Sequence, residues 1–142
     1  LVAAVQWLAA GFEKRSGVRV TVRRSSEQID VPREVQLVAY RTAQEAMTNV
    51  SKHATRATHV DIDLSDREGV LTLEVSDNGQ GMGSEALRKA KSFGLLGLKE
   101  RAAKVDGWLD ISSSPRGTSV ILSVPLDGGV DGADNTLREE EK

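Results

Sequence analysis

The chain has 142 residues, a net charge of −2, 39% hydrophobic residues and no cysteine. A chain of this length fits one domain that buries about 70% of the surface of its unfolded form. The absence of cysteine excludes disulfides, thiolate metal sites and cysteine nucleophiles. No apolar run approaches the roughly 20 residues of a membrane span, and no segment is basic enough to indicate nucleic-acid binding.

The two ends of the chain differ from its interior. Leu1 falls inside an apolar pattern and no initiator methionine precedes it, so we expect the chain to be a piece of a longer protein. Residues 127–142 hold six acidic and two basic residues, are rich in glycine and contain little that could enter a core. We therefore predict one domain over residues 1–126, followed by a disordered acidic tail.

Apolar spacing predicts the first two elements. Four residues share one face of a helix: Leu1, Val5, Leu8 and Phe12. The tripeptide RSG at residues 15–17 predicts the end of that helix. Three valines then alternate with polar residues: Val18, Val20 and Val22. This alternation predicts a strand with one solvated face.

A second helix is predicted from about residue 32 to residue 54. Its apolar face gathers Ala39, Ala43, Ala46, Val50 and Ala54. Glu45, Asn49 and Lys52 fall on the opposite face, and His53 lies between the two faces. The helix is rich in alanine and also carries four polar groups within nine residues. This combination indicates that the helix has a functional role in addition to core packing.

Two strands are predicted next, joined by the polar turn SDREG at residues 65–69. Their inward residues are Val60, Ile62 and Leu64 in the first strand and Leu71, Leu73 and Val75 in the second. The same parity directs the Asp77 side chain to the buried side if the second strand continues that far. A carboxylate in that position requires a polar partner.

The remaining segments alternate between glycine-rich and apolar composition. Residues 78–93 contain three glycines within five residues and then a basic stretch, which predicts a mobile loop. A further helical stripe follows: Leu95, Leu98, Ala102 and Val105. Residues 107–126 predict two strands around the turn SPRG. The whole pattern predicts an α+β fold with helices on one face of a mixed sheet.

Four motifs in order resemble a known family. EAMTNVSKHA, DNGQGM, GLLGL and RGTSVILSVPL are similar to the N, G1, G2 and last glycine boxes of the GHKL ATP-binding fold. YRTAQEAMTNVSKHA and FGLLGLKERA most resemble sensor histidine kinases of the nitrate-sensor, NarX-like class. The resemblance extends over residues 1–126 and implies a two-layer α/β sandwich of the Bergerat type. Any one glycine motif alone would be weak, whereas four in order are specific.

The resemblance implies ATP and Mg²⁺ as cofactors and assigns the polar residues of the second helix to them. Asn49 would ligate Mg²⁺ through its amide oxygen, and Glu45 would hold a metal-bound water, which makes these two the catalytic and metal-binding candidates. Lys52 would meet the phosphates as a point charge, and His53 would lie near the phosphates and ribose. A solvated helix face, with His53 hydrogen-bonded at the core edge, is the alternative.

The base pocket is assigned to the later boxes. By resemblance, the Asp77 carboxylate accepts a hydrogen bond from the adenine amino group, whereas guanine presents a carbonyl at that position. Gly79 and Gly81 would let the backbone approach the purine, and Thr118 would support the pocket through its hydroxyl. The alternative for Asp77 is a turn aspartate before Asn-Gly, a common hairpin sequence.

The third box adds four ATP-binding candidates. Gly94 and Gly97 flank a predicted helix start, where free N–H groups favour phosphate. Leu95 and Leu98 belong to the same box, although packing alone would explain them. Basic residues of the preceding segment could fold over the phosphates, but charge runs usually form a solvated surface.

The chain departs from the family pattern at two points. Arg116 stands where the family often has a further glycine, so the family pattern does not predict the conformation of the turn here. Neither His53 nor His59 lies in a dimerisation-helix context, so no phosphoacceptor is present. The resemblance therefore implies a domain that binds ATP·Mg²⁺ but turns over slowly alone, with its partner histidine on a separate dimerisation and phosphotransfer domain.

Partners and location follow from the same resemblance. We expect a response regulator as the final acceptor, a homodimeric parent protein, a fragment that could be monomeric, and a cytoplasmic position. Three alternatives stay open at this point. They are a serine kinase of the anti-sigma type, a nucleotide-binding regulatory module without catalysis, and a pure interaction domain.

Overall fold

The computed structural model describes residues 1–126, which form four α-helices and five strands in addition to two short helical turns. The helices are α1 (Val2–Ser16), α2 (Arg33–His53), α3 (Ser84–Lys89) and α4 (Leu96–Lys104). The strands are β1 (Arg19–Arg24), β2 (His59–Ser65), β3 (Val70–Asp77), β4 (Trp108–Ser114) and β5 (Gly117–Pro125). The predicted acidic tail lies outside the described residues.

The five strands form one mixed sheet in the order β1-β2-β3-β5-β4. β1 and β2 are parallel, and the other neighbours are antiparallel. Alternate residues of β2 and β3 are fully or almost fully buried: Val60, Ile62, Leu64, Leu71, Leu73 and Val75. α1, α2 and α4 pack against the strands, while the opposite face carries ion pairs such as Arg23 with Asp61. The predicted α+β sandwich is confirmed.

The two long helices follow their apolar spacing. α1 ends at Gly17, whose φ of 77° is left-handed and whose N–H donates to the Glu13 carbonyl at 2.9 Å. α2 begins directly after Pro32 and buries its alanine face, including Ala39 and Ala43, against the sheet. This packing fixes the C-terminal half of α2 over the ends of β3 and β5.

One prediction about local structure is wrong, and so is one of the alternatives. Residues 78–93 are not a loop throughout, because they include α3 and most of a π-helical turn, Ala90–Gly94. Ala90 is buried and Leu87 packs on the core, which gives the segment an apolar side, while Glu85 and Lys89 pair across one helical turn at 3.6 Å. Asn49 is also not on a solvated face, since only 8% of it is exposed.

Among residues 1–126, none of the helices combines sufficient length with sufficient apolar character to cross a bilayer.

Candidate functional site

Two adjoining cavities lie where α2 crosses the ends of β3 and β5. The first is a narrow slot between α2 and the sheet, whose polar lining comes from Asn49, His53, Asp77 and Thr118. The second is an open cavity of about 550 Å³ between α2 and α3, lined by Glu45, Asn49, Lys52, His53, Lys89 and Gly94. Asn49 and His53 line both cavities, so the two form one continuous site along α2.

Two other grooves lie between α1 and α2. They measure about 340 and 490 Å³, and the residues that line them include none of the predicted site residues. The cavity beside α3 is larger than either groove and carries the predicted polar groups.

Asp77 forms the polar floor of the slot. β3 runs through Asp77, so the predicted inward parity of this side chain is confirmed. The Gly79 N–H donates to Oδ1 at 2.8 Å, and the Thr118 N–H also hydrogen bonds to the carboxylate. Burial raises the pKa of Asp77, and these two backbone hydrogen bonds partly oppose that rise. The carboxylate is thus fixed in place with acceptor capacity left for a ligand.

Close backbone contacts hold the floor in position. Gly117 has a φ of 140°, and a Cβ at this position would collide with the Asp77 carbonyl oxygen. Gly81 has a φ of 82°, and a Cβ there would collide with the Ser114 carbonyl oxygen. Only glycine satisfies both the conformation and the space at these two positions. The G1 segment therefore lies directly on the end of the β4–β5 hairpin.

Asn49 occupies the junction of the two cavities. Its amide nitrogen is sealed from solvent and has no hydrogen-bond partner among residues 1–126. A buried polar group without a partner costs about 1–3 kcal/mol. Because the side chain lines both cavities, a ligand in the site could supply the missing partner. The unpaired amide nitrogen therefore indicates that a polar group binds here.

Glu45 and Lys52 flank the open cavity one helical turn to either side of Asn49. Burial raises the pKa of the Glu45 carboxyl, and the positive charge of Lys52 lowers it to a smaller extent. Gly94 lies beside Glu45, because a Cβ on Gly94 would sit 3.5 Å from Glu45 Oε2. The end of the π-helical turn therefore abuts the acidic group of α2.

The donor set fits a magnesium ion shared with phosphate. Among residues 1–126, no group of three or more His, Asp or Glu side chains could hold a metal by itself. Mg²⁺ in phosphate-binding proteins needs only one or two protein oxygens, with water and phosphate completing its octahedron. The Asn49 amide oxygen and the Glu45 carboxylate would meet that requirement, whereas the unpaired Asn49 amide nitrogen is a donor and would need an acceptor such as a phosphate oxygen.

Several predicted site residues lie elsewhere. Leu95 is fully buried in the core, and Leu98 packs against the core, while neither lines a cavity. Gly97 lies in the first turn of α4 with open space around it. Gly79 supports Asp77 and contacts Ala54 rather than lining the slot. The phosphate role of the G2 box remains a prediction.

The structure includes residues that sequence reasoning missed. Asn78 Oδ1 accepts hydrogen bonds from the Thr58 and His59 N–H groups at 2.9 and 3.0 Å, which ties the G1 segment to the loop after α2. The element after Asn78 is α3 rather than a returning strand, so Asp77 does not precede a hairpin, but its Oδ1 does cap a turn by accepting from the Gly79 N–H. Met82 lines the slot, and Ser113 contacts its backbone. The DNGQGM motif contained the signal for Asn78 and Met82.

The sequence of this chain is similar to those of known histidine kinases. A family model described as "Histidine kinase-, DNA gyrase B-, and HSP90-like ATPase" matches residues 34–128. The signal transduction histidine-protein kinase/phosphatase DegS of Brevibacillus brevis is 34% identical over 116 residues, which are 81% of this chain and 30% of that protein. The oxygen sensor histidine kinase NreB of Staphylococcus carnosus is 36% identical over 116 residues, which are 81% of this chain and 33% of that protein.

A solved structure shows a similar fold. The histidine kinase domain of the blue-light activated histidine kinase from Erythrobacter litoralis matches with a TM-score of 0.69 and 21% identity, over 87% of this chain and 61% of that chain. The match is one of fold. The chain spans about a third of the length of the two curated relatives above.

Proposed function

Because the matching family model covers residues 34–128, this chain belongs to the histidine kinase-, DNA gyrase B- and HSP90-like ATPase family, and we propose that it holds ATP·Mg²⁺ for phosphoryl transfer to a histidine on a separate domain. The observation that carries this proposal is the continuous site along α2. The fixed Asp77 carboxylate lies at one end, the Glu45 and Lys52 side chains lie at the other, and Asn49 lies between them.

The narrow end of the site suits adenine. The exocyclic amino group of adenine donates a hydrogen bond, and the Asp77 carboxylate accepts one. Guanine has a carbonyl oxygen at the corresponding ring position, and that oxygen would face the carboxylate. Losing a hydrogen bond to a charged group costs about 1.5–3 kcal/mol, which is roughly 10- to 150-fold in affinity. Asp77 therefore selects adenine over guanine.

The open end suits a polyphosphate. Lys52 and Lys89 line this cavity and could contact phosphate, while Glu45 and Glu85 line it too and Glu85 pairs with Lys89 at 3.6 Å. His53 lies where the two cavities meet. Asn49 and Glu45 would hold Mg²⁺, the second directly or through water. A magnesium ion held by these two residues would supply charge neutralisation for the phosphate groups. The protein residues contribute position and electrostatic stabilisation, which dominate phosphoryl transfer.

The reaction needs an acceptor from outside residues 1–126. An imidazole nitrogen of that acceptor histidine attacks the γ-phosphorus, and an N–P bond forms. The bond between the γ-phosphorus and the β–γ bridging oxygen breaks, and ADP leaves. The imidazole proton passes to a base carried by the acceptor domain. Transfer of the phosphoryl group to an aspartate of a response regulator would follow.

The finer assignments rest on the motif wording. YRTAQEAMTNVSKHA and FGLLGLKERA support the NarX-like class of sensor kinases. The acceptor would be the dimerisation and histidine-phosphotransfer domain of a homodimeric parent protein, and the domain would work in the cytoplasm. An isolated fragment would have little turnover, because the acceptor and its base belong to that other domain.

Calorimetric titration with a non-hydrolysable ATP analogue, ADP and GTP, each with and without Mg²⁺, tests binding. We expect adenine nucleotides to bind and GTP to be rejected. Adding a histidine-bearing dimerisation domain with radiolabelled ATP then tests transfer to histidine. Binding without transfer would favour a regulatory module, and transfer to a protein serine would favour the anti-sigma type of kinase. Absence of binding to any nucleotide would refute the proposal.

A further inference from the structure

Ser113 of β4 connects two walls of the slot without lining it. Its hydroxyl oxygen accepts a hydrogen bond from the Met82 N–H at 2.7 Å. The same oxygen lies 2.9 Å from Thr118 Oγ1, on the residue that faces Ser113 across the β4–β5 pair. Met82 and Thr118 both line the slot. One hydroxyl therefore fixes a loop residue and a strand residue relative to each other.

Met82 is the lining residue of the slot whose side chain can move to admit a ligand. The slot has a volume of only about 10 Å³, which is room for about one water molecule. Its other walls are α2 and the sheet, both fixed by the buried core. Met82 stands alone as the lining residue from the segment between β3 and α4. A methionine side chain adapts readily to the shape of its neighbours, so the base can enter while the Met82 backbone stays bound to Ser113.

The Ser113 hydroxyl also determines what Thr118 presents to the slot. A hydroxyl group donates one hydrogen bond and accepts two. The Ser113 oxygen already accepts from Met82, and either hydroxyl can be the donor in its 2.9 Å contact with Thr118 Oγ1. When Ser113 donates, the Thr118 proton is free to point into the slot. Purine ring nitrogens accept hydrogen bonds, so a donor is the useful polarity there.

We propose that Ser113 is a positioning residue for the purine end of the site, acting through the Met82 backbone and the Thr118 hydroxyl. This inference rests on the proposed function, because it assumes that an adenine base enters the slot. It adds a residue on β4 to a site otherwise built from α2, β3, β5 and the loops between them.

Nucleotide titration of three variants tests the role of Ser113. Ser113→Ala removes the hydroxyl, Ser113→Thr keeps it, and Ser112→Ala makes the same deletion at the exposed neighbour on β4. Dissociation constants for ADP and for a non-hydrolysable ATP analogue are measured by calorimetry, well below each melting temperature. If Ser113→Ala does not fold, Ser113→Cys, which keeps the size of the side chain but weakens the hydrogen bonds, takes its place.

We expect Ser113→Ala to weaken both nucleotides by the same factor of about tenfold, which corresponds to about 1.4 kcal/mol. The effect of Mg²⁺ should remain as in the wild type, because Ser113 lies at the base end. Ser113→Thr should restore affinity, and Ser112→Ala should bind like the wild type. A general loss of structure would not produce that pattern.

Two results would overturn the inference. Wild-type affinity in Ser113→Ala, or equal losses in Ser113→Ala and Ser113→Thr, would remove the positioning role while leaving the proposed function in place. A wild-type chain that binds neither nucleotide would instead refute the proposed function, and this inference would fall with it.

Discussion

Replacing Asp77 by asparagine tests the base pocket most directly, because the change removes a charge and keeps the shape. In the wild type, Asp77 is fixed by the Gly79 and Thr118 N–H groups, and both of these donors need an acceptor. An asparagine has one acceptor oxygen and one NH₂ group. If its oxygen takes the backbone donors, its NH₂ group faces the donating amino group of adenine.

The expected magnitude follows from this change of partner. A hydrogen bond to a charged group contributes about 1.5–3 kcal/mol, so Asp77→Asn should weaken ATP binding by at least about tenfold. The chain without nucleotide should not lose stability at neutral pH. Burial disfavours the ionised carboxylate and raises its pKa, so the neutral amide avoids that desolvation cost.

Calorimetry with ADP and a melting curve separate these two effects. Asp63→Asn is the matched control, because it makes the same substitution in the middle of β2, where Asp63 pairs with Arg23 at 3.5 Å. Asp63→Asn should bind ADP like the wild type. If Asp77→Asn also keeps native affinity and still rejects GTP, the adenine assignment is wrong.

Three further predictions concern metal, pH and backbone. Asn49→Ala should mainly abolish the enhancement of ATP affinity by Mg²⁺, as measured by titration with and without the ion. Affinity for ADP should fall as the pH falls through the raised pKa of Asp77, above its ordinary value of 3.8, and Asp77→Asn should lack this step. Folding stability should move the other way, because the native state binds that proton more readily than the unfolded state, so stability decreases as pH rises through the same window. Gly117→Ala should lower the free energy of unfolding by about 2 kcal/mol or more in a denaturant titration, whereas Gly83→Ala, where a Cβ meets nothing within 4 Å, should not.

The sequence patterns predicted the long elements well. Buried residues alternate along β2 and β3 with a period of two, and the alanines of α2 recur with the period of a helix. Each of these elements packs one face against the core. The parity of β3 also placed Asp77 correctly, because a strand that stays regular directs every second side chain to the same side.

The short elements could not be predicted in the same way. α3 has six residues, and its apolar side consists of little more than Leu87 and the following Ala90, which is too little for a helical period to stand out. The role of Ser113 could not be predicted for a different reason. It lies in a run of three serines, and only the pairing of β4 with β5 distinguishes the one that faces Thr118.

Asn49 shows why a helical projection misplaced a site residue. The prediction placed Asn49 on the face of α2 opposite the alanines, although helical spacing puts it only about 100° from the centre of the alanine face. In the folded chain Asn49 is buried, because it lies at the junction of the slot and the cavity beside α3. An apolar side chain at this position would avoid an unpaired buried amide, whose cost is about 1–3 kcal/mol. Packing therefore gives no reason for an asparagine here. A ligand that bonds to this amide does give one, and it also accounts for the presence of Glu45, Lys52 and His53 on the adjoining turns.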